Sequence, residues 1–128
     1  MSAWRALVFS AWLLVALIHL LPLAGLAGAG RLQALYGLAE APTDALLLLL
    51  QHRAWQFGLL AAAALWALWQ PALRLPMACL VLASDAGFLL LFALSSHSGP
   101  ALQRVAWADG VSMVALTLVQ VDIWRAGR

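Results

Sequence analysis

Four ionisable side chains lie inside long apolar runs and are the residues of this sequence best placed to carry chemistry. They are His19, His52, Asp85 and Asp109, with Arg53 next to His52. Counted from one end of each run at about 1.5 Å per residue, all four lie at a depth of about 12 to 15 Å. A charged group at the centre of a bilayer costs about 2.5 to 3.5 kcal/mol even on lenient insertion scales. The sequence therefore predicts one polar layer whose members neutralise each other.

Neutral polar side chains accompany this layer. Gln56 lies one helical turn from His52, and Ser112 lies one turn from Asp109. One interpretation is structural, with ion pairs that fix the register of packed helices. The other is functional, with a ligand or proton site open to the outer leaflet, because ionisable residues inside a membrane usually serve a function. We call the predicted set the polar centre; it comprises His19, His52, Arg53, Gln56, Asp85, Asp109 and Ser112.

The polar centre raises the question of a cofactor. His19 and His52 have matching depths, so an alternative function is that of a membrane enzyme or b-type haem protein in which both ligate the iron. Two histidines and two aspartates could also hold a divalent cation, but no ligand spacing such as HExxH supports a metal site. The sequence carries no nucleophile elbow, P-loop or dinucleotide-binding motif, so it predicts no reaction class.

The composition indicates an integral membrane protein. Of 128 residues, 66% are hydrophobic and 9% are charged, whereas soluble domains carry about 25% charged residues. All seven basic residues are arginines scattered singly along the chain, which argues against a nucleic-acid partner because phosphate binding needs clustered cations. The expected partners are membrane lipid and a small amphiphilic ligand. The predicted function is to bind such an amphiphile or to support a membrane assembly; the oligomeric state is left open.

Four apolar runs are long enough to cross a bilayer as helices, which takes roughly 20 residues. The short links between consecutive runs favour an all-α, antiparallel four-helix transmembrane bundle that forms a single domain over residues 1–128. The longest link, 28–43, reads as turns followed by a helix start with Thr43 as N-cap, and Pro100 suits the first turn of the last helix. The predicted spans are 6–27, 44–69, 77–95 and 101–123.

Arginine and tryptophan positions predict the orientation in the membrane. Arginines are retained on the cytoplasmic side, and tryptophans concentrate at membrane interfaces. Both termini are therefore expected in the cytoplasm of a bacterium, with the chain in the inner membrane. The residues predicted at the cytoplasmic face are Arg5, Arg74, Arg125 and Arg128, with Trp4, Trp66, Trp69 and Trp124; Arg31 and Arg104 are predicted at the opposite face.

The amino terminus also has features of a secretory signal peptide. Arg5 precedes an apolar run, and the small residues 27–29 could form a cleavage site. The run is longer than the usual signal core of about 7 to 15 residues and contains His19, which favours a retained helix.

Three segments carry a family resemblance. Residues 17–23 (LIHLLPL), 31–37 (RLQALYG) and 51–58 (QHRAWQFG), together with Asp109, resemble a family of small bacterial four-helix integral membrane proteins of unestablished function. Some members carry the label phosphopantetheine adenylyltransferase, but that enzyme is a soluble α/β protein, and this chain lacks a glycine-rich phosphate-binding loop. In span number and size the chain is also similar to DoxX-like membrane proteins, a likeness of fold that transfers no function.

Overall fold

The chain is all-helical throughout the residues that the computed structural model describes, 2–96 and 99–126. This confirms the predicted all-α class. Arg128, one of the arginines predicted at the cytoplasmic face, lies outside the described residues. The elements are α1 (Ala3–Leu20), a 3₁₀ segment (Leu21–Ala27), α2 (Ala29–Tyr36), α3 (Asp44–Trp69), a 3₁₀ turn (Pro71–Leu73), α4 (Arg74–Leu94) and α5 (Pro100–Ala126).

Local chemistry explains where the first helix begins and changes form. The Ser2 hydroxyl accepts a hydrogen bond from the Arg5 backbone N–H at 3.3 Å, which caps α1. Pro22 has no backbone N–H to donate to the preceding turn, and the apolar run continues from Leu21 as a 3₁₀ segment. Helix α5 begins at Pro100, as predicted. Thr43 precedes α3 in an extended conformation, but its side chain makes no capping hydrogen bond.

The link 28–43 is more ordered than predicted, because it contains helix α2. Two glycines with positive φ bound this helix: Gly28 at 128° and Gly37 at 63°, in the left-handed region. Leu32 of α2 is fully buried, and α2 contacts the 3₁₀ segment, α3 and α5. The helix therefore covers the end of the molecule at which α1 ends and α5 begins. We call this the α2 end and the opposite one the terminal end.

The four long helices contact one another around a closed ring. Helix α1 contacts α3 and α5, and α4 also contacts α3 and α5, whereas α1 and α4 share no close backbone approach in the described residues. Helices α1 and α4 are therefore diagonal partners. A buried apolar core around Trp12 lies in the part of the molecule nearer the terminal end; it consists of Val8, Ala11, Trp12, Val15, Ala16, Ala64, Ala67, Ala78, Val81, Ala115, Leu116 and Val119.

Three helical segments are long and apolar enough to cross a membrane: Ala3–Ala27, Pro71–Leu94 and Pro100–Ala126. The predicted span 44–69 does form the 26-residue helix α3, but it is not among the three because the polar sequence QHRAWQ interrupts its middle. Large apolar side chains cover the outside of the described helices; Leu94 and Trp107, for example, are each 77% exposed. These features are those of a membrane-spanning protein.

The tryptophans predicted at the cytoplasmic interface do not all behave alike. Trp66, Trp69 and Trp124 are exposed, as an interfacial belt requires. The Trp4 indole N–H instead donates a 2.7 Å hydrogen bond to Asp122, so this tryptophan also ties α1 to α5.

Candidate functional site

Four members of the polar centre lie together in the interior, on three different helices. His19 of α1, Asp85 of α4, and Asp109 and Ser112 of α5 are each at most 3% exposed. We call these four residues the buried cluster. It occupies the part of the molecule toward the α2 end, beyond the apolar core.

Both ring nitrogens of His19 are hydrogen-bonded. Nδ1 lies 2.9 Å from the Val15 carbonyl oxygen, and Nε2 lies 3.0 Å from Asp85 Oδ1. A carbonyl oxygen only accepts, so Nδ1 must carry a proton. The bond to Asp85 then holds one proton, either on Nε2 as an imidazolium–carboxylate pair or on the carboxyl group of a neutral pair. The pair has no net charge in either case.

The hydrogen bond between His19 and Asp85 joins the two diagonal helices. The backbones of α1 and α4 each approach α3 and α5 closely but do not approach each other, and the two side chains meet across the interior with exposures of 0% and 1%. A polar bond in this position fixes the depth of α1 relative to α4, because a shift along either helix would separate two groups that have no water to replace the lost partner.

Asp109 is the ionisable member of the buried cluster that has no bonded partner. The ionisable groups near it are Asp85, His19 and Arg53, and no hydrogen bond reaches its carboxyl group from the residues that the structure describes. Asp85 Oδ2 and Ser112 Oγ are fully buried without a hydrogen-bond partner, as is the Trp12 indole nitrogen in the apolar core. Unsatisfied buried polar groups are rare in folded proteins and need a reason, such as a ligand or bound water.

A cavity of about 380 Å³ opens beside Asp109. Its inner end is formed by the buried side chains of His19 and Asp109, and its α2 end carries the exposed arginines Arg31 and Arg104. The volume falls in the range of small-molecule sites, about 300 to 1,000 Å³. The remaining lining residues are apolar: Ile18, Leu21, Pro22, Ala24, Ala34, Leu35, Phe57, Ala101, Val105 and Ala108.

Arg53 lies against aromatic rings rather than against an aspartate. Its guanidinium carbon is 5.8, 5.3 and 5.2 Å from the ring centres of Tyr36, Phe57 and Phe88, and no carboxylate of the described residues lies within 4.0 Å of it. Ring faces attract a cation, so they compensate part of the cost of burying the guanidinium. Arg53 therefore stands beside the buried cluster and acts on Asp109 through its charge alone.

The structure places His52 and Gln56 on the outer surface of α3. Ala54 is fully buried, and two positions correspond to about 200° around a helix, so His52 points to the opposite side. His19 and His52 are consequently not brought together, and both nitrogens of His19 have other partners. Among the described residues no group of three or more His, Cys, Asp and Glu side chains is placed to hold a metal ion.

The sequence pattern did not reveal the cavity or the place of two arginines in its wall. The positions of Arg31 and Arg104 along the chain indicated only the orientation of the protein in the membrane. One feature of the sequence did indicate a shared surface: residues 101, 104, 105, 108 and 109 have the spacing of a single helical face. All five line the cavity. The contribution of α2 to the cavity wall was not predicted, because residues 28–43 were expected to form turns followed by the start of the next helix.

Comparison with known proteins found no matching family, no similar characterised protein and no similar solved structure. The family resemblance of residues 17–23, 31–37 and 51–58 thus stays a prediction, and the geometry alone supports the functional proposal.

Proposed function

We propose that this chain is an antiparallel four-helix protein of the bacterial inner membrane, with both termini in the cytoplasm, that binds a small anionic amphiphile in the cavity at the α2 end. The observation that carries the proposal is the cavity itself, which has an apolar wall, two arginines at its exposed end and an unpaired carboxyl group at its inner end.

The ring of contacts through α1, α3, α4 and α5 supports the bundle. Helix α3 completes it despite its polar middle, because Arg53 is covered by aromatic rings and Ala54, Ala61, Ala64 and Ala67 lie on its buried face. In this arrangement the α2 end faces the outside of the cell, and the cavity lies at the level of the outer leaflet.

The two interpretations of the polar centre then apply to different residues. The bonded pair of His19 and Asp85 has the structural role, since it joins diagonal helices and leaves no ring nitrogen free. Asp109 has the ligand-facing role, since it lines the cavity without a partner. The alternative of a haem protein needs His52 in the interior, and no observation favours it.

The distribution of charge indicates the class of ligand. Arg31 and Arg104 suit a carboxylate or phosphate, and arginine is the preferred side chain for both. The apolar wall suits a hydrocarbon chain. A ligand of this kind resembles the surrounding lipids in being amphiphilic, but it must be small enough for a cavity of about 380 Å³.

Octanoate is a suitable probe, with binding to the protein in detergent measured by equilibrium dialysis. Arg31→Gln combined with Arg104→Gln should weaken octanoate binding about 5- to 30-fold, because each exposed ion pair contributes up to about 1 kcal/mol. Octanol should bind the variant and the native protein alike. The matched control is Arg5→Gln combined with Arg125→Gln, which removes the same charge at the terminal end. Equal octanoate binding by both double variants would rule out the proposed ligand site.

A further inference from the structure

We propose that the cavity selects amphiphiles that carry a hydroxyl group at the end opposite the anionic group, and that Asp109 binds this hydroxyl. The inference rests on the proposed function and adds the chemistry of the buried end of the ligand. It follows from the position of Asp109 in the cavity and from the helical spacing between Asp109 and Arg104.

A hydrocarbon end is a poor partner for the inner end of this cavity. Asp109 is 3% exposed and has no hydrogen bond from the described residues. A methyl group placed there would exclude water from the carboxyl group without forming a hydrogen bond to it. The loss of hydrogen bonds is costly for any buried polar group.

The neighbouring protein groups cannot serve Asp109 in place of a ligand. His19 on α1 uses both ring nitrogens, one of them on Asp85 of α4. Arg53 on α3 lies among three aromatic rings. Ser112 Oγ on α5 makes no hydrogen bond, so it does not reach the Asp109 carboxyl group. The partner for Asp109 therefore has to enter through the cavity.

A hydroxyl group fits Asp109 in either protonation state. It donates to an ionised carboxylate, and it accepts from a protonated carboxyl group while donating to the other oxygen. An ammonium group suits only the ionised form, and a carbonyl group suits only the protonated form. Hydroxyl is thus the smallest organic group that satisfies Asp109 whatever charge the buried cluster holds.

The helix spacing sets the length of the ligand. Arg104 and Asp109 are five residues apart on α5 and both line the cavity, which corresponds to about 7.5 Å along the axis. A ligand that reaches both residues therefore has a hydrocarbon chain of medium length between its two polar groups. The inferred ligand class is therefore a medium-chain ω-hydroxy acid or a phosphate ester of similar length.

The experiment compares three probes in equilibrium dialysis with the detergent-purified protein: octanoate, 8-hydroxyoctanoate and 2-hydroxyoctanoate. The native protein should bind 8-hydroxyoctanoate at least tenfold more tightly than octanoate, because a buried hydrogen bond to a carboxyl group is gained. The isomer 2-hydroxyoctanoate has the same polarity but places its hydroxyl near the arginines, so it should show no such advantage.

Asp109→Leu should abolish the preference, and Asp109→Asn should retain part of it, because an amide still bonds a hydroxyl. Circular dichroism and elution as a single species show whether each variant is folded. If the leucine variant is not folded, the asparagine variant provides the test, and a reduced preference for 8-hydroxyoctanoate over octanoate supports the inference. Equal binding of octanoate and 8-hydroxyoctanoate by the native protein would overturn the inference while leaving the proposed function intact. Failure of every probe to bind would instead overturn the proposed function.

Discussion

The hydrogen bond between His19 and Asp85 makes a quantitative prediction about stability. It is 3.0 Å long, and the side chains are 0% and 1% exposed. Changing either residue to leucine leaves the other buried without its partner. In soluble cores the loss of one member of a buried ion pair costs about 3 to 5 kcal/mol, whereas measured hydrogen bonds between membrane helices contribute about 0.6 to 2 kcal/mol. His19 keeps its bond to Val15 and can lose its charge, so we expect about 2 to 3 kcal/mol for Asp85→Leu.

The double variant is the decisive comparison. His19→Leu combined with Asp85→Leu removes both members of the pair, so neither is left without the other, and such a change is often nearly neutral. The cost of the double variant should therefore be smaller than the sum of the two single costs by at least about 1 kcal/mol. The assay is unfolding by SDS in mixed micelles, followed by helical circular dichroism. Glu40→Ala is the control for loss of an acidic residue, since Glu40 is exposed, and it should change stability by less than about 0.5 kcal/mol. Additive costs of the two leucine changes would refute the role of this bond.

Three further predictions follow from the placement of individual side chains. His52→Gln should leave the free energy of unfolding unchanged while His19→Gln lowers it, because His19 is buried and His52 is exposed; equal losses in the SDS assay would contradict the placement of His52. Arg53→Ala should destabilise the protein by about 1 to 2 kcal/mol more than Arg31→Ala, because three rings surround the Arg53 guanidinium; equal effects would mean that those contacts contribute nothing. Reporter fusions at the carboxyl terminus and in residues 70–76 should report the cytoplasm and fusions in α2 the exterior, and a carboxyl terminus outside the cell would reverse the orientation.

The long helices were predictable because the membrane restricts what an apolar run can do. A lipid environment offers no hydrogen bonds, so each run must satisfy its own backbone as a helix. The predicted spans accordingly coincide with α1 and its 3₁₀ segment, α3, α4 and α5 to within a few residues. Helix α2 escaped prediction because it is short; it depends on burial of Leu32, which no local pattern reveals.

Because each apolar run must form a helix, the depth of each polar residue in the membrane was predictable from the sequence. The direction in which its side chain points was not. Each residue adds about 1.5 Å along a helix, so counting residues from the ends of the apolar runs suffices to place His19, Asp85 and Asp109 in one layer. Each residue also turns the helix by about 100°, so a change of a single position moves a side chain from the interior to the lipid.

The direction of each side chain depends on which faces of neighbouring helices pack together. The alanines of α3 allow other helices to pack closely against their face, so His52 on the opposite face remains outside. The polar residues of α3 do not by themselves indicate which face of the helix is buried. The aromatic rings around Arg53 come from α2, α3 and α4. By itself, therefore, the sequence determined the membrane class, the helices and the level of the polar residues. Only the tertiary structure decided which of those residues meet and that a cavity opens beside Asp109, because both depend on the rotation of several helices at once.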